Sequence, residues 1–147
     1  MKSARSFFSD EQQDEIKQAI LNAELDTSGE IRVHIENTCA GDVLVRAAGV
    51  FKILRMHRTE LRNGVLIYLA IKNRKFAIIG DSGINAVVDK DYWDKIKSRM
   101  LEAFRDGQFT QGLTAAILEV GIKLKSNFPH KPSDVNELPD EISFGKS

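Results

Sequence analysis

Only one cysteine, Cys39, occurs in the chain. An intramolecular disulfide is therefore impossible, and a zinc site built on several thiolates is excluded. Neither sign of charge is in excess, since lysine plus arginine and aspartate plus glutamate both number 21. That balance argues against an electrostatic nucleic-acid binder, which presents a basic face or run. The longest apolar run, Val65–Ile71, is far below the ~20 residues that a membrane span needs. The N-terminus, MKSARSFFSDEQQ, lacks the apolar core of a signal peptide. These absences predict a soluble, cytoplasmic, monomeric chain.

Several catalytic signatures are missing too. There is no phosphate-binding P-loop, no dinucleotide glycine fingerprint and no Gly-x-Ser-x-Gly elbow. The EF-hand spacing of acids is absent. His34, His57 and His130 fall on different predicted elements, and none has a histidine at i+3 or i+4. Cys39 reads as an inert lone thiol.

What is present is periodicity. With 147 residues, one domain is expected, large enough to bury a core unaided. Ser9 and Gln12 form a capping box, with Phe7 or Phe8 as a hydrophobic staple. Ile16, Ala19, Ile20 and Ala23 then follow at helical spacing. From Glu30 the period becomes two. Ile31, Val33 and Ile35 alternate with Arg32, His34 and Glu36, which predicts a strand with one water-facing side, near the edge of a sheet. Leu44, Ala47, Ala48, Phe51 and Leu54 predict a second helix, with Arg46, Lys52 and Arg55 on its other side.

The runs 64–71 and 76–79 are apolar on both faces and flank the short polar turn Lys72-Asn73-Arg74. They predict a central hairpin. A third helix has Trp93, Ile96, Met100 and Phe104 inward, after Asp89 or Asp91 as cap, and stops at Asp106-Gly107. A fourth presents Leu113, Ala116, Ile117, Val120 and Leu124 and stops at Pro129. The expected organisation is an extension over 1–8, an α/β domain over 9–128 and a flexible tail over 129–147.

A strand, helix, strand succession is most simply a right-handed parallel crossover. The starts of the first two strands should then meet the finish of the third. Thr27–Glu30, Arg62–Asn63 and Gly80–Gly83 should converge. Asp81, between two glycines beside Asn63, offers a carboxylate, an amide and exposed carbonyls. That hard-oxygen set suits calcium or magnesium, although an aspartate here can equally serve its own turn. Asp89 and Glu30 are candidate further ligands, and Arg62 is a candidate anion contact.

Thr27-Ser28-Gly29-Glu30-Ile31-Arg32-Val33, Arg62-Asn63-Gly64-Val65-Leu66-Ile67-Tyr68-Leu69 and Gly80-Asp81-Ser82-Gly83-Ile84, followed by Phe104-Arg105-Asp106-Gly107-Gln108-Phe109, resemble the TPM domain. The resemblance is to a stand-alone bacterial TPM domain and covers about Phe7–Phe128. It implies a three-layer α/β/α sandwich, with a small mixed sheet built from a β-α-β crossover plus the hairpin and helices on both faces. Relatives include thylakoid-lumen proteins linked to photosystem II repair and an auxiliary protein of an acetylcholine receptor. Some have acid-phosphatase-like activity, and some bind calcium near the Gly-Asp turn. The resemblance implies a calcium-binding and protein-interaction module, with a protein or membrane-protein complex as its partner. A weak metal-assisted phosphatase and a structural domain without a cation site are the alternatives. Many relatives have Asp-Asn-Gly where this chain has Arg62-Asn63-Gly64.

Overall fold

The computed structural model describes residues 3–130 and 141–145. A short helix α1 (Ala4–Phe7) precedes α2 (Asp10–Glu24), β1 (Glu30–Glu36) and α3 (Val43–Ile53). Next come β2 (Gly64–Ala70), β3 (Lys75–Gly80) and the short α4 (Ser82–Asn85). Two long helices, α5 (Tyr92–Arg105) and α6 (Phe109–Asn127), and the two-residue β4 (Ser143–Phe144) complete the order.

The sheet runs β3-β2-β1-β4. β1 and β2 are parallel, and β2 and β3 form the antiparallel hairpin. Crossover and hairpin are thus both present. Ile31, Val33, Ile35, Val65, Ile67 and Leu69 face the helices α2, α5 and α6 in the larger core. Leu66, Tyr68 and Ala70 face α3 in the smaller one. The result is the expected three-layer α/β/α sandwich.

Local signals act as the sequence suggests. Ser9 Oγ accepts from the Gln12 amide at 3.1 Å, and Gln12 Oε1 accepts from the Ser9 amide at 2.9 Å. Gly107 ends α5 with φ of 78° and donates to the Phe104 carbonyl.

Four expectations need correction. The extension over 1–8 is part of the domain, because Ala4 and Phe8 are buried in the main core. Residues 131–140 and 146–147 of the expected tail lie outside the described residues. Ser143–Phe144, however, pairs in parallel with His34 and Ile35, so β1 is an inner strand over that stretch. The polar face of β1 does not meet water: Arg32, His34 and Glu36 are all buried. Finally, α3 buries Ala47 and Val50, while Leu44 is 57% exposed. Arg46 turns toward the sheet, where Glu36 holds it. Ala47, Phe51 and Leu54 of the expected face pack on the smaller core, joined by Val43 and Val50 in place of Leu44 and Ala48.

Candidate functional site

The three predicted segments do meet. The Glu30 amide donates to the Asn63 carbonyl at 3.4 Å, the Asp81 amide to the Gly64 carbonyl at 2.9 Å, and the Gly83 amide to the Arg62 carbonyl at 2.8 Å. Parallel β1 and β2 start at the same end of the sheet, and antiparallel β3 must finish there. Asn63 Nδ2 donates to Ser28 Oγ at 3.2 Å. This leaves its carbonyl oxygen as the acceptor of the side chain.

Arg62 is the partner of Asp81. Its Nε lies 2.7 Å from Oδ2 and its Nη2 2.9 Å from Oδ1, a two-pronged ion pair. The Asp81 side chain is only 7% exposed, whereas that of Arg62 is 50% exposed. The pair raises the guanidinium pKa through hydrogen bonding and charge attraction. Asp81 Oδ1 also accepts from the Ser82 amide, so the carboxylate caps α4 as well. Arg62 has φ of 52°, a left-handed conformation that favours glycine, asparagine or aspartate. An arginine accepts that strain here while its side chain neutralises Asp81.

Beside this pair opens a cleft of about 380 Å³, lined by Ala48, Phe51, Lys52, His57, Arg62, Ile79, Gly80 and Asp81. Lys52 and His57 were not singled out for a site by sequence. Arg55, also left-handed at φ 60°, ends α3 and redirects the chain so that the turn Met56–Arg58 lies against the hairpin. No period encodes that. His57 Nδ1 is buried and has no hydrogen-bond partner among the described residues.

Other predicted ligands are placed differently. Asp89 is exposed in the loop before α5, and its carbonyl accepts from the Tyr92 amide. Glu30 is buried at the start of β1. Among the described residues, no group of three or more histidine, cysteine, aspartate or glutamate side chains gathers to hold a metal. Cys39 is free and buried.

A second polar cluster lies under α3 and was missed by sequence. Glu36 is its centre. It accepts from Tyr68 Oη, from Arg46 Nη2, from Arg46 Nε at 3.0 Å and from His34 Nε2 at 3.1 Å. The carboxylate can only accept, so His34 carries its proton on Nε2 and Nδ1 accepts from Ser143 Oγ at 2.9 Å. The His34 and Tyr68 rings stack at 5.9 Å. Burial pushes Glu36 up, but hydrogen bonds from Arg46, Tyr68 and His34 outweigh it and hold the carboxyl at about 2. Burial lowers His34 below its ordinary value despite Glu36 beside it. Burial raises the Tyr68 phenol, and the Glu36 bond raises it further.

Residues 2–122 match the family model of the TPM domain. No curated protein matches the chain. Among solved structures, the chain is similar to the NMR structure of the BA42 protein from the psychrophilic bacterium Bizionia argentinensis, at 46% identity and TM-score 0.89. That match covers 99% of this chain and 100% of BA42. The N-terminal domain of a protein from P. gingivalis is similar at 17% identity and TM-score 0.72, over 86% of this chain and 83% of that one. The N-terminal domain of the cg2496 protein from Corynebacterium glutamicum is similar at 16% identity and TM-score 0.65, over 88% and 80%. The last two speak to fold alone. Among the described residues, no helix is long and apolar enough to cross a membrane.

Proposed function

Since the chain belongs to the TPM domain family, we propose that it is a binding module that takes up calcium, in preference to magnesium, at the open end of the β2–β3 hairpin. The cation sets the loops there for a protein partner. The observation that carries this reading is a buried carboxylate, Asp81, whose only charged partner among the described residues is a half-exposed arginine. A solvent-accessible ion pair contributes little net stability. A cation can therefore take the place of the guanidinium without unfolding its surroundings.

The donor set fits a hard cation weakly. It comprises the Asp81 carboxylate, the Asn63 amide oxygen and nearby backbone carbonyls. Calcium tolerates such irregular oxygen sets, whereas magnesium demands near-octahedral geometry. A single carboxylate implies a dissociation constant on the order of 1 mM. The module acts as a monomer, and its one thiol, free and buried, takes no part in the site.

Calcium titration followed by amide NMR tests it. Resonances of Asn63, Asp81 and Ser82 should move in the wild type, and Asp81→Asn should abolish the response. Arg62→Asn should tighten binding by up to about fivefold, because the competing cation is gone. Silence at about 10 mM calcium, ten times the expected constant, removes the reading.

A second reading has its own observation. Lys52, His57 and Arg62 line one cleft beside Asp81, a charge pattern that suits a phosphate ester. Weak phosphomonoesterase activity would then require this cleft. Phosphate release from p-nitrophenyl phosphate should fall to background in both His57→Ala and Asp81→Ala. Activity that survives both belongs elsewhere.

A further inference from the structure

A larger cavity than the cleft beside Asp81 lies at the opposite end of the hairpin. It measures about 660 Å³ and is walled chiefly by Phe7, Leu69, Phe76, Leu101, Phe104 and Phe109. Phe76, Phe104 and Phe109 form a chain of ring contacts, with centroids 5.2 Å apart at each step. A second cavity of about 270 Å³ shares Phe7, Phe8, Gly107 and Phe109 with it and adds Gln12, Thr110 and Gln111. Together they make an apolar trough with a polar annex. Ligand sites have this composition, and their usual volume is ~300–1,000 Å³.

Two observations specify what the annex takes. Thr110 is only 4% exposed, yet its Oγ1 has no hydrogen-bond partner among the described residues. A buried hydroxyl without a partner costs about 1–3 kcal/mol, so one is normally satisfied. Thr110 also sits in the first turn of the 19-residue α6, whose N-cap residue Gln108 provides no side-chain cap. The first backbone bond of that helix is from the Gly112 amide to the Gln108 carbonyl, at 2.9 Å. The Gln108 amide is taken by the Ala103 carbonyl, but the Phe109, Thr110 and Gln111 amides have no acceptor within α6, and the helix dipole favours an anion beside them. Charge around the trough agrees. Arg74 and Arg105 line it, and no acidic residue does.

We propose that the two cavities form one site for an amphipathic monocarboxylate. Its carboxylate would accept from Thr110 Oγ1 and the first-turn amides of α6, and its acyl chain would lie among the phenylalanines. The arginines raise the local concentration of such anions. This site is independent of the Asp81 end of the molecule.

Sodium decanoate is the probe, with decanol and acetate as its two halves. Each is titrated into the full chain and followed by amide NMR. Decanoate should shift Phe109, Thr110 and Gln111 together with Phe7, Leu101 and Phe104. Decanol should bind about tenfold more weakly and acetate should leave the spectrum unchanged. Thr110→Val should weaken decanoate about fivefold, the loss of one hydrogen bond, and leave decanol as it was. If that variant fails to fold, Arg105→Gln, at an exposed position, should weaken decanoate about threefold and spare decanol. Absence of shifts up to about 1 mM decanoate overturns the proposal. So does decanol binding as tightly as decanoate, which would make the trough a non-specific apolar or protein-docking groove. Shifts spread evenly over the chain, the pattern of a detergent, also overturn it.

Discussion

Gly83→Ala should lower the free energy of unfolding by about 3 kcal/mol. A methyl group there would collide with the Leu61 carbonyl and lie 2.6 Å from the Arg62 carbonyl oxygen. Both obstacles are backbone. Neither has room to yield, because the Arg62 amide is tied to the Thr59 carbonyl and the Arg62 carbonyl accepts from both Gly83 and Ile84. The substitution must push α4 away from the turn that carries Arg62. Asp81 then loses its register with Arg62 and Asn63, so any calcium response should disappear with the stability. Urea unfolding measures the first effect. Gly41→Ala is the control, since nothing lies within 4 Å of a methyl group at that position. A loss at Gly83 below about 1 kcal/mol would show that the turn is softer than its hydrogen bonds imply.

Glu36→Ala should cost about 3–5 kcal/mol. The carboxylate is the acceptor for Tyr68, His34 and Arg46. Arg46 is 44% exposed along its side chain and can turn to water. The Tyr68 hydroxyl and His34 Nε2–H are buried and cannot, and two orphaned donors cost about 1–3 kcal/mol each. Glu36→Gln retains an acceptor and should lose about half as much.

The same cluster sets a direction for pH. His34 titrates below its ordinary 6.5 in the folded chain. Its contribution is complete above pH 6.5 and is lost as pH falls through the lowered value. Glu36 is held at about 2 against an ordinary 4.5. Its contribution is complete above pH 4.5 and is lost between there and about 2. Both act in one direction, so acid should destabilise the protein in two stages. In His34→Gln the first stage should flatten while the second persists. Urea midpoints measured from pH 7 to pH 3 distinguish these, and an unchanged slope above pH 4.5 in that variant would remove His34 from the account.

Much of the architecture was legible because it depends on spacing. The face of α6, the capping box of α2 and the doubly apolar hairpin each need only one stretch of sequence. The convergence of the segments that carry Asn63 and Asp81 follows from strand direction alone. The polar cluster under α3 was not legible, for a specific reason. Alternation at 32, 34 and 36 shows that these side chains share a side of β1 but not what covers that side. The cover comes from a tyrosine in an apolar run, an arginine on a helix and a serine more than 100 residues away. Nor does an aspartate among glycines reveal its partner. Sequence offers Arg62 as a contact for an outside anion but does not show that it pairs with the carboxylate of its own chain. A two-residue strand such as β4 is too short to carry any period.

β4 also bears on how the protein is made. Synthesis runs from the N-terminus at ~5–20 residues per second, and β1 finds β2 long before Ser143 has left the ribosome. During that interval His34 has its carboxylate partner but not its hydroxyl, and the outer side of Ile35 is unpaired. The outer contacts of β1 are thus supplied by residues translated well after the hairpin, so a nascent chain that has not yet released Ser143 already holds a complete hairpin and an incomplete buried charge cluster.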